Sequence, residues 1–266
     1  MGADSSRLKH PKKTAFKHIP DQYETYEELQ QALRTSGLES SNLILAIDYT
    51  ESNTWTGKDT FEGRCLHEID PTEQRWNPYQ SVIRIIGKTL EAFDDDKAIP
   101  AFGFGDSTTG HHACFPFLPN GQACNGFGQV LDRYNQITPH LTLAGPTNFA
   151  PVIREAIRIV REHRSYHILV IIADGQVVCK KETTEAIVAA SKFPISIIMV
   201  GVGDGPWDMM QAFDDQIPAR RFDNFQFVEY NKMLRHNLQN PEVGFATAAL
   251  MEIPDQYLTL RRMGKL

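Results

Sequence analysis

Two short and mainly apolar segments, residues 42–48 and 167–173, constrain the fold of this chain more than any other feature. Each has the length and hydrophobicity of a strand that is buried on both faces of a parallel sheet. Similar segments predict further strands at 99–104, 195–202 and 225–228. Helical segments separate these strands along the chain. The alternation predicts an α/β fold with a doubly wound, mostly parallel sheet and helices on both faces.

Capping residues, glycine and proline predict where the helices begin and end. Thr25 and Glu28 form a capping box, which predicts the start of a helix that Gly37 ends. A second helix is predicted to begin at Pro78, because Pro is favoured at the first helical position. The polar stretch 56–76 is interpreted as a surface insertion. The remaining helices are predicted at 128–137, 149–163 and 185–191 and, in shorter form, around Met209, Leu234 and Ala249.

The chain divides into a short arm, residues 1–24, and one domain, residues 25–266. A length of 266 residues suits one large α/β domain. The net charge of −6 counts against a nucleic-acid-binding protein, because such proteins usually carry a basic face. The arm has few apolar side chains and is basic through Arg7, Lys9, Lys12, Lys13 and Lys17.

The cysteines and the lack of export signals indicate the cytoplasm. Four cysteines in a chain of this length do not make a disulfide framework. The sequence has no N-x-[ST] acceptor site and no apolar signal-peptide core after its start. The longest unbroken apolar run, residues 168–173, is too short to span a bilayer. The compartment is therefore the cytosol or the nucleus, and we predict a cytoplasmic protein.

Oxygen-bearing side chains follow two of the predicted strands. Asp48, Thr50 and Ser52 form a D-x-[ST]-x-S pattern at the end of the first strand, Asp174 follows the strand at 167–173, and Thr147 precedes a helix. Ligands of doubly wound folds bind at the carboxyl ends of the strands, so we expect these side chains to converge. A set in which hydroxyls outnumber carboxylates predicts Mg²⁺, with Mn²⁺ or Ca²⁺ as substitutes. Each segment taken alone is also ordinary turn or cap chemistry.

The same segments resemble a known family. The pattern at Asp48, Thr50 and Ser52, together with Thr147 and Asp174, resembles the metal-ion-dependent adhesion site of von Willebrand factor A domains. Longer stretches resemble copines and those plant relatives of copines that carry a RING finger, from about residue 26 to about residue 258. These stretches are residues 37–43 (GLESSNL), 52–57 (SNTWTG), 102–107 (FGFGDS), 173–176 (ADGQ) and 249–254 (ALMEIP).

The resemblance implies a role for each ligand. Thr50, Ser52 and Thr147 would touch the ion directly, whereas Asp48 and Asp174 would act mostly through coordinated waters. Thr50 stands where such adhesion sites have serine, and it keeps the hydroxyl. An inner shell of neutral oxygens leaves the ion electrophilic. The resemblance therefore implies a partner protein that binds through an exposed Asp or Glu carboxylate.

We interpret the chain as a protein-interaction module and not as an enzyme, with neither a nucleic acid nor a small-molecule substrate as its partner. We place Asn53, Trp55, Asp106 and Ser107 at the rim of the partner surface. The alternative is the substrate-binding part of a ubiquitin-ligation system. Copines have two calcium-dependent lipid-binding modules before this domain, and the plant relatives have a RING finger after it. We expect neither module within these 266 residues.

Two enzyme interpretations are weaker. A haloacid-dehalogenase-like phosphatase would need a second carboxylate two residues after Asp48, where this chain has Thr50. The glycines of residues 201–205 (GVGDG) resemble a dinucleotide-binding loop only faintly, because they come late in the chain and Pro206 breaks the spacing. A tight turn between a strand and a helix is the better prediction for that segment.

A zinc site is a further alternative, because two histidines and two cysteines lie within a short span. Their spacing matches no zinc-ligand pattern, and the local Gly and Pro content indicates an exposed loop. The residues are His111, His112, Cys114 and Cys124.

The arm carries a separate signal. Residues 1–6 (MGADSS) fit the N-myristoylation pattern M-G-x-x-x-[ST], with Gly2 as the acceptor. The basic residues that follow would supply a second membrane signal, so we expect peripheral attachment to an anionic surface at the plasma membrane. Met-Gly is also a frequent start of a chain, and this second interpretation stays open.

Overall fold

The computed structural model describes residues 23–72, 74–175, 177–217, 219–236 and 239–266. The predicted myristoylation site, Gly2, and most of the basic arm lie outside these residues. The strands are β1 Asn42–Asp48, β2 Ala98–Ile99, β3 Ala101–Phe104, β4 Cys114–Pro116, β5 Cys124–Asn125, β6 His167–Ala173, β7 Ile195–Gly201 and β8 Phe225–Glu229. The helices are α1 Tyr26–Thr35, α2 Pro78–Leu90, α3 Gly126–Ile137, α4 Ala150–His163, α5 Lys180–Ala190, α6 Asp208–Asp215, α7 Tyr230–His236, α8 Pro241–Leu250 and α9 Ile253–Arg262.

The strands form a mostly parallel sheet in the order β4-β3-β1-β6-β7-β8. Each neighbouring pair is parallel except β3 and β4, which are antiparallel at one edge. The strands β2 and β5 form a separate antiparallel pair. After β1, the chain forms β3 on one side of this strand. It later forms β6 on the other side of β1, so the strand order reverses between β1 and β6. This reversal is the topological switch point of the sheet.

Helices cover both faces of the sheet. Alternate side chains of β1 point to opposite sides, with Leu45 and Ile47 in one apolar cluster and Ile44 and Ala46 in the other. The first cluster also receives side chains of α1, α2, α3, α8 and α9, and the second receives those of α4, α5 and α6. The predicted doubly wound α/β fold is therefore confirmed, as are β1 and β6 at the predicted residues.

Three local predictions differ from the structure. The strand predicted at 99–104 is divided at Pro100, which has no N–H to donate, so that β2 pairs with β5 while β3 pairs with β1. The helix predicted at 185–191 begins earlier, at Lys180. The segment around residues 111–124 was predicted to be a loop, but residues Cys114–Pro116 form the edge strand β4. A strand of three residues is too short to show alternation in the sequence.

The insertion at residues 56–76 is not wholly at the surface. Leu66 has no exposed surface and His67 is also buried. The backbone N–H of Leu66 donates to the carbonyl of Asn53 at 2.9 Å. The insertion therefore folds back against the segment that follows β1.

No helix within the described ranges is long and apolar enough to cross a membrane.

Candidate metal centre

The predicted metal ligands meet at the switch point of the sheet. Asp48 is the last residue of β1, and Asp174 directly follows β6. These strands are parallel neighbours, so their carboxyl ends share one edge of the sheet. The loop before α4 reaches the same point through a parallel bridge between Thr50 and Ala144 and brings Thr147 with it. All these residues are buried, and the most exposed of them, Ser52, has 7% of its surface exposed.

Three hydroxyl oxygens converge at this point. Thr50 Oγ1 lies 3.0 Å from Ser52 Oγ and 3.1 Å from Thr147 Oγ1. Thr50 and Thr147 are 97 positions apart in the sequence, so the fold and not the local chain creates this contact. Neutral oxygens at such spacing suit the coordination of a small hard cation.

Asp48 brings a carboxylate with one unsatisfied oxygen. Its Oδ1 accepts the backbone N–H of Thr50 at 2.9 Å, whereas its buried Oδ2 has no hydrogen-bond partner within the described part of the chain. Burial, and then the nearby Asp174 carboxylate, raise the pKa of Asp48 well above its usual range. A cation would remove both penalties, because it would compensate the buried charge and screen the repulsion. The residues present therefore fit a divalent metal ion.

Asp174 is tied to the insertion. Its Oδ2 lies 3.0 Å from the hydroxyl of Thr56, and the same hydroxyl lies 3.0 Å from the carbonyl oxygen of Ser52. The backbone N–H of Asp204, after β7, donates to the carbonyl of Thr56 at 2.7 Å. Thr56 thus links the segment after β1 to those after β6 and β7. No sequence pattern marks this threonine as part of the site.

A glycine after β3 leaves room for one of the hydroxyl ligands. Gly105 has a φ of +86°, and a Cβ placed there would lie 2.3 Å from Cγ2 of Thr50. Only glycine combines this backbone conformation with the close approach of Thr50.

A buried aromatic stack contacts the backbone at the end of β1. The His67 ring lies between those of Tyr49 and Tyr79, with centroid distances of 4.7 and 4.0 Å. His67 Nε2 is 2.7 Å from the carbonyl oxygen of Asp48, and Nδ1 is 2.8 Å from the hydroxyl of Tyr134. Burial lowers the pKa of His67 to about 3. A neutral ring therefore contacts the backbone of a predicted metal ligand.

The structure divides the four predicted rim residues into two pairs. Trp55 is 54% exposed and Ser107 is also exposed, so both are available to a partner. Asn53 is fully buried because its amide donates to the carbonyl of Thr50 at 3.1 Å and accepts from the Tyr79 hydroxyl at 2.6 Å.

Asp106 is the second rim residue to be corrected, because only 1% of it is exposed. Its carboxylate accepts hydrogen bonds from the backbone N–H groups of Thr108 and Thr109. Asn53 and Asp106 therefore hold loops in place and offer no surface to a partner.

The alternative chemistries find no support in the described residues. No group of three or more His, Cys, Asp or Glu side chains is placed to hold a metal there. Cys114 and Cys124 of the zinc hypothesis pack into the two clusters on opposite faces of the sheet. The glycine-rich segment after β7 is a turn, and a Cβ on Gly205 would lie 2.9 Å from the indole nitrogen of Trp207.

Comparison with known proteins decides the family. The copine family model matches residues 65–266, which is most of the chain. The chain belongs to the copine family. It is 52% identical over 252 residues to copine family protein 2 of Caenorhabditis elegans, covering 94% of this chain and 3% of that protein. It is 50% identical over 257 residues to the E3 ubiquitin-protein ligase RGLG1 of Arabidopsis thaliana, covering 91% of this chain and 52% of the ligase.

The chain thus spans a small part of the first copine relative and about half of the second. Among solved structures, a von Willebrand factor type A protein from Catenulispora acidiphila is similar, with a TM-score of 0.47 and 13% identity over 79% of this chain and 43% of that one. The strand order of the copine domain, and not this distant likeness, defines its fold.

Proposed function

We propose that this copine domain is a protein-interaction module that binds a carboxylate of its partner through a divalent cation. Mg²⁺ suits the donor set best, with Mn²⁺ or Ca²⁺ as substitutes. Thr50, Ser52 and Thr147 would hold the ion through hydroxyls, while Asp48 and Asp174 would act through waters. When bound, the cation supplies an electrophilic position for an incoming Asp or Glu side chain.

One observation carries this proposal. Two hydroxyls, those of Ser52 and Thr147, lie 3.0 and 3.1 Å from Thr50 Oγ1. Beside them is the buried carboxylate of Asp48, whose Oδ2 has no hydrogen-bond partner within the described residues. A site evolved for folding alone would satisfy such a group, since an unpaired buried charge costs several kcal/mol. The arrangement is explained if a cation and its waters complete the hydrogen bonding.

The chemistry of the site supports binding more than catalysis. The hydroxyls of Thr50, Ser52 and Thr147 contact one another, and no histidine is bonded to them within the described residues. A nucleophilic hydroxyl needs an adjacent base to become reactive. We therefore propose that these residues hold and orient a ligand without transforming it.

Thermal melting with and without metal tests the proposal. At about a hundred times its dissociation constant, Mg²⁺ should stabilise the folded domain by about 2.7 kcal/mol. Asp48→Ala and Asp174→Ala should fold but lose this gain. Asp106→Asn is the matched control, because Asp106 is also buried near the site and its carboxylate accepts hydrogen bonds from the N–H groups of its own turn. Equal melting of the wild type in chelator and in excess Mg²⁺ would refute the proposal.

The partner's carboxylate has its own test. A protein captured on the immobilised domain in Mg²⁺ should dissociate in chelator and rebind when Mg²⁺ returns. Replacing one critical Asp or Glu of that partner by its amide should remove most of the affinity. A footprint on the opposite end of the sheet, with binding unchanged in chelator, would show that the metal has no part in recognition.

A second candidate function is substrate binding in ubiquitin ligation. It is favoured by the relative named an E3 ubiquitin-protein ligase, which is 50% identical over nearly all of this chain. In such a system the copine domain would bind the substrate, and catalysis would belong to a RING finger. Ubiquitin transfer to a captured partner, dependent on Asp48 and on an added RING protein, would support this candidate.

We also propose that the basic arm attaches the protein to anionic membranes, with myristoylation at Gly2. Co-expression with an N-myristoyltransferase should add the acyl chain and move a fraction of the protein onto anionic vesicles. Salt and removal of the charges at Lys12 and Lys13 should weaken this attachment. An unmodified Gly2 in the native protein, shown by intact mass, would contradict the proposal.

A further inference from the structure

A buried histidine lies behind the candidate metal centre, in contact with the backbone of Asp48. We infer that His67, as its Nε2–H tautomer, is a positioning residue that fixes the backbone of Asp48 and thereby the direction of the ligand-bearing segment. The inference rests on the proposed function, since the segment it positions is the proposed metal-binding one. His67 acts through the carbonyl of Asp48 and does not itself touch the metal.

The hydrogen bonds determine the tautomer. The carbonyl oxygen of Asp48 can only accept, so Nε2 of His67, at 2.7 Å, must carry the proton. Asn77 Nδ2 lies 3.0 Å from the Tyr134 hydroxyl and can only donate to it. That hydroxyl is then free to donate its own proton to Nδ1 of His67 at 2.8 Å. Every donor in this relay meets one acceptor, which fixes the ring orientation.

The relay connects the metal-binding segment to rigid elements. Tyr134 lies on α3 and Asn77 caps α2, where its side-chain oxygen accepts the N–H of Gln80 at 2.9 Å. Tyr79 at the start of α2 stacks on His67 and also donates to Asn53. The two helices therefore hold the Asp48 carbonyl from one side of the sheet.

Loss of the ring contact would release the turn that follows β1. The Asp48 carbonyl would lose its contact of 2.7 Å with the ring, while the amide of Asn53 lies farther away, at 3.4 Å. Because Thr50 and Ser52 come two and four residues later, a small rotation at Asp48 would separate their hydroxyls from that of Thr147. Partners that orient metal-site groups from outside the ligand shell typically change metal affinity by about 10–100-fold when removed.

The experiment compares His67→Phe with Tyr49→Phe. Phenylalanine at 67 keeps a ring in the stack but cannot donate to Asp48. Tyr49→Phe is the control from the same stack, because it loses one buried hydrogen bond, to Thr138 at 2.9 Å, and touches neither His67 nitrogen. Calorimetric titration with Mg²⁺ should show affinity at least about tenfold weaker in His67→Phe and nearly unchanged in Tyr49→Phe. Equal affinities in the two variants would overturn the inference.

A second measurement needs neither a variant nor a metal. The ¹⁵N spectrum of the imidazole in the metal-free wild type should show a protonated Nε2 and an unprotonated Nδ1. A protonated Nδ1 with bare Nε2 would overturn the assignment even if His67→Phe failed to fold. Tyr134→Phe, which leaves His67 in place, should lower the Mg²⁺ affinity less than His67→Phe does. A wild type that binds no Mg²⁺ would instead count against the proposed function, while the tautomer still tests His67.

Discussion

Substituting Gly105 by alanine should damage the candidate metal centre more than it damages the fold. The new methyl group would lie 2.3 Å from Cγ2 of Thr50 and 3.2 Å from its backbone nitrogen, where ordinary contacts begin at 3.4 Å. Thr50 must therefore move by about 1 Å, a displacement that separates its hydroxyl from those of Ser52 and Thr147. We expect the stabilisation by Mg²⁺ to be lost.

Gly110 is the control for the backbone cost of this change. It also has a positive φ, +52°, but a Cβ there meets no atom within 4 Å. Alanine in the left-handed region costs about 1–2 kcal/mol at either position. For a domain of this size that corresponds to a melting temperature lower by about 2–8 °C. Gly110→Ala should show this loss alone and keep the full response to Mg²⁺.

Scanning calorimetry in chelator and in Mg²⁺ measures both quantities in one pair of experiments. The reasoning is refuted if the two variants respond equally to Mg²⁺, or if Gly105→Ala keeps the wild-type gain. It is also refuted if Gly105→Ala melts no lower than Gly110→Ala in chelator, because the contact with Thr50 must add to the backbone cost.

Three further predictions concern buried polar groups. Asp48→Asn should raise the metal-free melting temperature by a few degrees, because it removes a buried charge and its repulsion from Asp174, and should abolish the response to Mg²⁺; a lower metal-free melting temperature would contradict this. Burial and then Asp214 raise the pKa of Glu252 from 4.5 to about 7, so the folded state retains a proton that the unfolded state releases. The free energy of unfolding should therefore fall as the pH rises from about 4.5 to 7, by at most about 3 kcal/mol. Denaturant titrations at several pH values should show a smaller fall for Glu252→Gln. Thr56→Val should weaken Mg²⁺ binding, measured by calorimetry, because Asp174 loses its hydroxyl contact; an unchanged affinity would show that the contact is dispensable.

The sheet could be predicted from the sequence because its central strands are defined by burial alone. Residues 42–48 and 167–173 are apolar and too short for a typical buried helix, which favours strands, and both strands have the predicted bounds. The convergence of Asp48 and Asp174 then follows from the rule that parallel strands end at one edge.

The support of the site could not be predicted, because it depends on contacts between distant segments. His67 and Thr56 belong to a polar stretch with no periodicity, and nothing local marks them as buried. The sequence predicts Asn53 at the rim, but the residue is buried through a hydrogen bond from Tyr79 of α2, 26 residues later.

The hydroxyls and carboxylates of the candidate site come from three segments, with 97 positions between Thr50 and Thr147 and 118 between Thr56 and Asp174. In the proposed function these segments would bind the cation together. Ion uptake would therefore require β1, β6 and the loop before α4 to be assembled. In the proposed function, a molecule that is misfolded in any of these segments would not bind its partner at all, instead of binding it with lower affinity. The partner would bind only correctly folded molecules, because only these would hold the ion.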